Sequence, residues 1–233
     1  MDTLIPTSTA SAATLPMVVA PQTLSASENS RVLRNTYALL SMTLLFSGGV
    51  AAVSTAAQWP APGIVLTLAG YFGLLFAVYR LKNSAWALLA VFGLTGFMGY
   101  TLGPLLSKLM TLPGGSQVIA IALGATGAVF LALSAWVLIS RRDFSFMGGF
   151  LFAGMVVALL AGLAAVFLQV PALGLVVSAV VALLSAGLIL VETSRIVHGG
   201  ESNYVLATVG LYVSIFNLFT SLLSLFGMGG SDE

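Results

Sequence analysis

Long uninterrupted apolar runs, separated by short polar connections, dominate the chain from residue 36 onward. Seven runs stand out: Thr36–Ala57, Pro62–Tyr79, Ser84–Leu105, Val118–Ile139, Phe146–Phe167, Leu173–Val191 and Tyr204–Phe226. Each is close to the roughly 20 apolar residues a helix needs to cross the hydrocarbon core of a bilayer. The runs are continuously apolar, whereas strands of a membrane barrel alternate apolar and polar over about 10 residues. Helices also close their own backbone hydrogen bonds inside lipid. The pattern predicts an all-α polytopic membrane bundle of seven transmembrane helices, one domain over residues 31–227.

Composition reinforces the pattern. Apolar residues make up 59% of the chain and charged ones 6%, against about 25% charged in soluble domains. The basic residues set an orientation. Arg31 and Arg34 precede the first run, Arg80 and Lys82 follow the second, Arg141 and Arg142 the fourth, and Arg195 the sixth. The opposite side carries only Lys108. The positive-inside rule then puts the N-terminus in the cytoplasm and the C-terminus outside.

Residues 1–30 are rich in Ser, Thr, Ala and Pro and carry Asp2 and Glu28 as their acids. No basic residue precedes Arg31, so neither a secretory signal nor a transit peptide is read there. They are expected to form a flexible cytoplasmic arm, and residues 228–233 a short tail. Ser25 and Glu28 make a capping-box pattern, which starts a helix near Ser25. The absence of cysteine excludes disulfides and thiol chemistry, and a net charge of +1 gives no reason to expect nucleic acid.

Polar residues inside the spans are few and patterned. In the seventh span Ala207, Gly210, Ser214, Asn217, Ser221 and Ser224 follow one another at steps of three and four, a stripe on one helical face. Small residues let helices approach, and Ser or Asn can bond across them. The stripe reads either as helix packing or as the lining of a conduction route. Thr208, Tyr212 and Thr220 add polar groups on other sides, so the seventh helix is expected at the bundle centre. Asn217 is expected buried and bonded to a neighbouring helix, with Leu218 facing lipid. In the third span Gly96, Gly99 and Gly103 point to close packing, and Pro104 is expected to end or kink the helix.

Glu192 closes the sixth span and is the carboxylate placed to reach membrane depth. Intramembrane acids are usually functional. Arg195 lies one helical turn on, so an interfacial ion pair is the alternative reading. His198, the only histidine, is expected in the loop between Glu192 and Glu201, and reads either as a solvated loop residue or as a pH-responsive group; Gly199 and Gly200 break the helix after it. The inventory argues against enzyme activity. The two lysines, Lys82 and Lys108, lie near helix ends, which excludes a retinal Schiff base. One histidine without cysteine leaves a zinc site short of ligands. Glu192 is the only carboxylate placed to offer a metal ligand from within the bundle, so no metal site and no cofactor are expected.

Four blocks carry a family resemblance: Arg34–Leu44, Gly96–Pro104, Glu192–Tyr204 and Leu211–Leu223. Together they resemble the Bax-inhibitor-1/YccA family, and its bacterial YccA branch in particular, over about Arg31 to Gly227. The resemblance implies a bacterial inner-membrane protein of seven helices with the last enclosed by the other six. It also implies a pH-sensitive calcium leak centred on two aspartates. Glu192 matches the first with a longer acid, while Ser214 matches the second without a charge. Two carboxylates can share a proton and act as a latch; one acid and a hydroxyl cannot do so in the same way. The YccA branch implies a different role: binding and restraining the membrane-anchored protease FtsH, partly as a slowly degraded substrate. The expected partners are therefore the lipid bilayer, an FtsH-type protease, and calcium or protons.

Overall fold

A computed structural model describes residues 26–229, with side chains from 29 to 227. Most of the N-terminal arm, the capping-box residue Ser25 and the C-terminal tail fall outside the described side chains. Seven helices follow one another: α1 (Ala26–Ala56), α2 (Ile64–Leu81), α3 (Trp86–Met110), α4 (Gly115–Ser140), α5 (Gly148–Leu168), α6 (Pro171–Val197) and α7 (Tyr204–Gly229). A single 3₁₀ turn, Ser145–Met147, leads into α5. Among the described residues there is no strand, and all seven helices are long and apolar enough to cross a membrane.

The helices outrun the apolar runs at several ends. α3 does not stop at Pro104 but continues to Met110. A proline removes one backbone donor and so frees the carbonyl four residues earlier. That carbonyl, on Tyr100, accepts a hydrogen bond from the Ser54 hydroxyl of α1 at 3.2 Å, and Thr55 donates to the Gly103 carbonyl at 3.3 Å. The neighbouring helix supplies the donor that the proline lacks, so the helix need not end there. α6 likewise passes Glu192 and ends at Val197. Gly199, at φ +75°, closes it: Gly200 donates to the Arg195 carbonyl at 2.8 Å and Gly199 to that of Ile196 at 3.3 Å. This glycine-capped ending satisfies the carbonyls a helix leaves open.

Close approach at glycine sets the packing. α1 and α3 run parallel in contact, with Gly96 against Phe46, Gly99 against Ser47 and Gly103 against Ser54. α6 and α7 form an antiparallel hairpin. α7 occupies the centre and touches α1, α2, α3, α4 and α6. It is not enclosed by all six other helices, as the family resemblance implied, because α5 packs on α6 alone among the helices. Small α5 and α6 residues make that contact, with Leu184 against Gly154 and Leu151 against Gly187. The rest of α5, including Phe150, Phe152 and Phe167, is exposed, as suits a helix bathed in lipid. The core around α7 includes Leu94, Val91, Ile189, Leu211 and Tyr212.

Candidate functional site

Glu192 lies on α6 where α7 has Gly210. A methyl group built on Gly210 would sit 2.9 Å from the Glu192 carboxyl carbon and 3.0–3.2 Å from its oxygens. The bare backbone of α7 thus makes the space that the acid fills. Ser214 follows one turn along; it is buried, and its hydroxyl donates to the Gly210 carbonyl at 2.9 Å. The acid is not isolated. Arg195 Nη1 is 3.8 Å from Glu192 Oε1, and Arg195 Nη2 is 3.8 Å from Glu201 Oε2. These are charge–charge contacts rather than tight hydrogen bonds. Arg195 therefore spans two carboxylates, with the Glu192 side chain 17% accessible.

The Glu192–Gly210 contact also fixes the register of the hairpin. Seven residues are two helical turns, about 10.5 Å of rise. Seven back from Glu192 is Ser185, and seven on from Gly210 is Asn217; seven further in each direction come Ser178 and Ser224. The two helices thus carry polar or small residues at matching levels. Ser185 is fully buried, and its hydroxyl has no hydrogen-bond partner. Ser178 donates to the Gly174 carbonyl of its own helix at 2.9 Å.

Asn217 departs from expectation. It is half-buried, and among the described residues its side chain bonds to no neighbouring helix. Leu218, expected in lipid, is 3% exposed and part of the core. α7 has helices on more than one side, so the face next to the polar stripe is interior as well. Of the remaining stripe residues Ala207 and Ser221 are buried and Ser224 is half-buried.

His198 lies, exposed, in the turn that follows α6, and its ring is held there. It caps α6, and both ring nitrogens face carbonyl oxygens. Nδ1 is 2.9 Å from the Ser194 carbonyl and Nε2 is 2.9 Å from the Arg141 carbonyl. Ser194 extends the join: it accepts from the Phe144 backbone at 2.9 Å and donates to Asp143 Oδ1 at 3.2 Å. The Ser145 backbone donates to the same carboxylate at 2.8 Å. These donors, the Ser145 backbone foremost, together with the nearby imidazole, hold the Asp143 carboxyl below its ordinary range. The connection between α4 and α5 is thereby clipped to the end of α6, one turn and a half beyond Glu192. Asp143 and Ser194 were not singled out from the sequence, because they lie 51 residues apart and only the fold brings them together.

Tyr212 was read from sequence only as one more polar group. Its hydroxyl meets the Ser47 hydroxyl of α1 at 2.5 Å and donates to the Thr95 carbonyl of α3 at 3.3 Å. It therefore ties α7 to two helices at once. A buried tyrosine in a span must find such partners, and that is the signal that could have marked it. Among the described residues no three His, Cys, Asp or Glu side chains converge as a metal site. At the α6–α7 contact the arrangement offers the Glu192 carboxylate against Gly210, one turn from the Ser214 hydroxyl, with Arg195 shared between Glu192 and Glu201.

Comparison with known proteins places this geometry. A family model described as inhibitor of apoptosis-promoting Bax1 matches residues 29–231. The chain is 52% identical over 202 residues to the Escherichia coli protein named modulator of FtsH protease YccA, covering 87% of this chain and 92% of that one. An uncharacterised Pseudomonas aeruginosa protein is 52% identical over 206 residues, covering 88% and 93%. A Vibrio cholerae membrane protein is 46% identical over 208 residues, covering 88% and 93%. With a family model spanning nearly all the described residues and relatives this similar along most of their length, the chain belongs to the Bax-inhibitor-1 family.

Proposed function

We propose that this chain is a non-enzymatic inner-membrane protein that modulates an FtsH-type membrane protease and is itself a slow substrate of it. The observation that carries the reading is the 52% identity, over 87% of the chain, to a protein named for modulating FtsH. The cytoplasmic N-terminus expected from the basic residues supports it. Residues 2–24 hold no Lys or Arg, and their Ser, Thr, Ala and Pro content suits a segment that a processive protease can grip. Removing residues 2–24 should lengthen the protein's lifetime in cells and leave membrane insertion intact. A lifetime independent of both the arm and FtsH, with no co-purification of the protease, would overturn the proposal.

A second reading is favoured by one contact, that of Glu192 with Gly210, one turn from Ser214. In it the α6–α7 seam carries calcium, another cation or protons. Such a leak predicts pH-dependent calcium flux in proteoliposomes that Glu192→Gln alters. Flux at the level of empty vesicles would leave the protease reading alone.

A further inference from the structure

The start of α1 and the ends of α4 and α6 meet at the basic end of the bundle and enclose a pocket. Two contacts pin its walls. Asn29 Nδ2 of α1 donates to the Val197 carbonyl of α6 at 3.4 Å. His198 Nε2 lies 2.9 Å from the carbonyl of Arg141, the residue that caps α4. α1 and α4 are thus each held to α6, while their own backbones stay apart. On each helix an apolar lining residue lies deeper in the bundle and a polar one further out: Leu33 and Ser30 on α1, Leu138 and Arg141 on α4, Val197 and His198 on α6. Within one helical turn the walls pass from apolar to polar.

Aromatic residues set the depth of this pocket. Tyr79 at the end of α2, Trp86 at the start of α3 and Trp136 near the end of α4 are all exposed at this end of the bundle. Exposed Trp and Tyr settle at the boundary between acyl chains and headgroups. Arg141 lies five residues beyond Trp136, about 7.5 Å further out, which is the depth of the headgroup layer. Charge then selects the occupant. Among the described residues no carboxylate lines the pocket, and neither Arg141 nor Arg34 is in an ion pair. Arg34 faces the same gap. Ser30, Leu33, Arg34 and Tyr37 share one face of α1 by their spacing, and Tyr37 packs on Phe130 of α4 with ring centroids 6.1 Å apart. Arg34 is exposed on that face, and a side chain of its length reaches outward to the headgroup level. Basic pockets between helices at this level suit anionic lipid headgroups.

We propose that this pocket binds the phosphate of an anionic phospholipid between Arg141 of α4 and Arg34 of α1, with the apolar part of the lipid against Leu33, Leu138 and Val197. The test is native mass spectrometry of the full chain in detergent, titrated with phosphatidylglycerol, phosphatidylcholine or soluble glycerol phosphate. Phosphatidylglycerol should bind severalfold more tightly than either of the others. Arg141→Gln and Arg34→Gln should each weaken it by about fivefold, the share of one basic residue near a lipid surface. Arg141→Lys should restore most of the loss. Arg80→Gln, at the end of α2 on the same side, should leave binding unchanged. In vesicles, phosphatidylglycerol with a photoreactive headgroup should label residues 29–34 and 138–142 above the rest of the chain. Equal affinity for phosphatidylglycerol and phosphatidylcholine would overturn the proposal, as would equal weakening by Arg80→Gln, which marks diffuse surface charge. Glycerol phosphate bound as tightly as the lipid, or headgroup labelling confined to other segments, would overturn it too.

Discussion

Gly99→Ala isolates the α1–α3 contact. On an unobstructed helix the change from Gly to Ala gains about 1 kcal/mol. At Gly99 the new Cβ would run into the Ser47 carbonyl oxygen and lie 3.0 Å from its hydroxyl. The obstacle is backbone, so α1 itself must move, and overpacking of this kind costs about 1–3 kcal/mol. Moving Ser47 also pulls on its bond to Tyr212; interhelical hydrogen bonds in membranes average about 0.6 kcal/mol, with a maximum near 1.7. Setting the propensity gain against both losses leaves a net destabilisation of about 1–3 kcal/mol. Gly73→Ala and Gly124→Ala are the matched controls, since a Cβ there meets nothing within 4 Å. Equilibrium unfolding in detergent micelles should rank Gly99→Ala below wild type and both controls at or above it. Gly99→Ala as stable as Gly124→Ala would refute the argument that glycine sets the approach of these helices.

Leu218→Ala should destabilise by about 2–5 kcal/mol, the range for large-to-small core changes, whereas Asn217→Ala should cost less than about 1 kcal/mol because its side chain holds no neighbouring helix; the same unfolding assay ranks them. Tyr212→Phe should cost about 0.6–1.7 kcal/mol by removing the hydroxyl that joins α7 to α1 and α3. Asp143 has its folded pKa depressed, so its contribution is present above the ordinary carboxylate range and is lost as pH falls through the folded value. Asp143→Asn should therefore flatten the acid limb of the stability–pH curve, and a limb identical to wild type would contradict this. An alkaline phosphatase fused after Glu233 should be active, placing the C-terminus outside; an inactive fusion would mean an even number of crossings.

The spans were legible because lipid imposes a length and a composition on each helix, and seven runs met both. Their ends were less so. Pro104 lies inside α3 because Ser54, 46 residues before Tyr100, donates to the Tyr100 carbonyl that the proline frees. The central place of α7 showed in hydroxyls on several of its sides, and the glycines of α3 marked where α1 sits. Facing was harder to read. Leu218 is core because α7 has neighbours beyond its polar stripe, a fact that one helix's periodicity does not carry. At the site, Glu192, its pairing with Arg195, and His198 could be named from the sequence, but their partners on other segments could not. Gly210, Asp143 and Arg141 come from other segments, and only the fold brings them within reach.

The central claim is that this chain restrains an FtsH-type protease, and reconstitution tests it most directly. The purified protein and the protease would be placed together in vesicles with a membrane substrate of the protease, and substrate loss followed over time. The account predicts slower substrate degradation as the chain is added, with the chain itself consumed more slowly than the substrate and more slowly still without residues 2–24. Substrate degradation unchanged at every ratio, with no association between the two proteins, would contradict it.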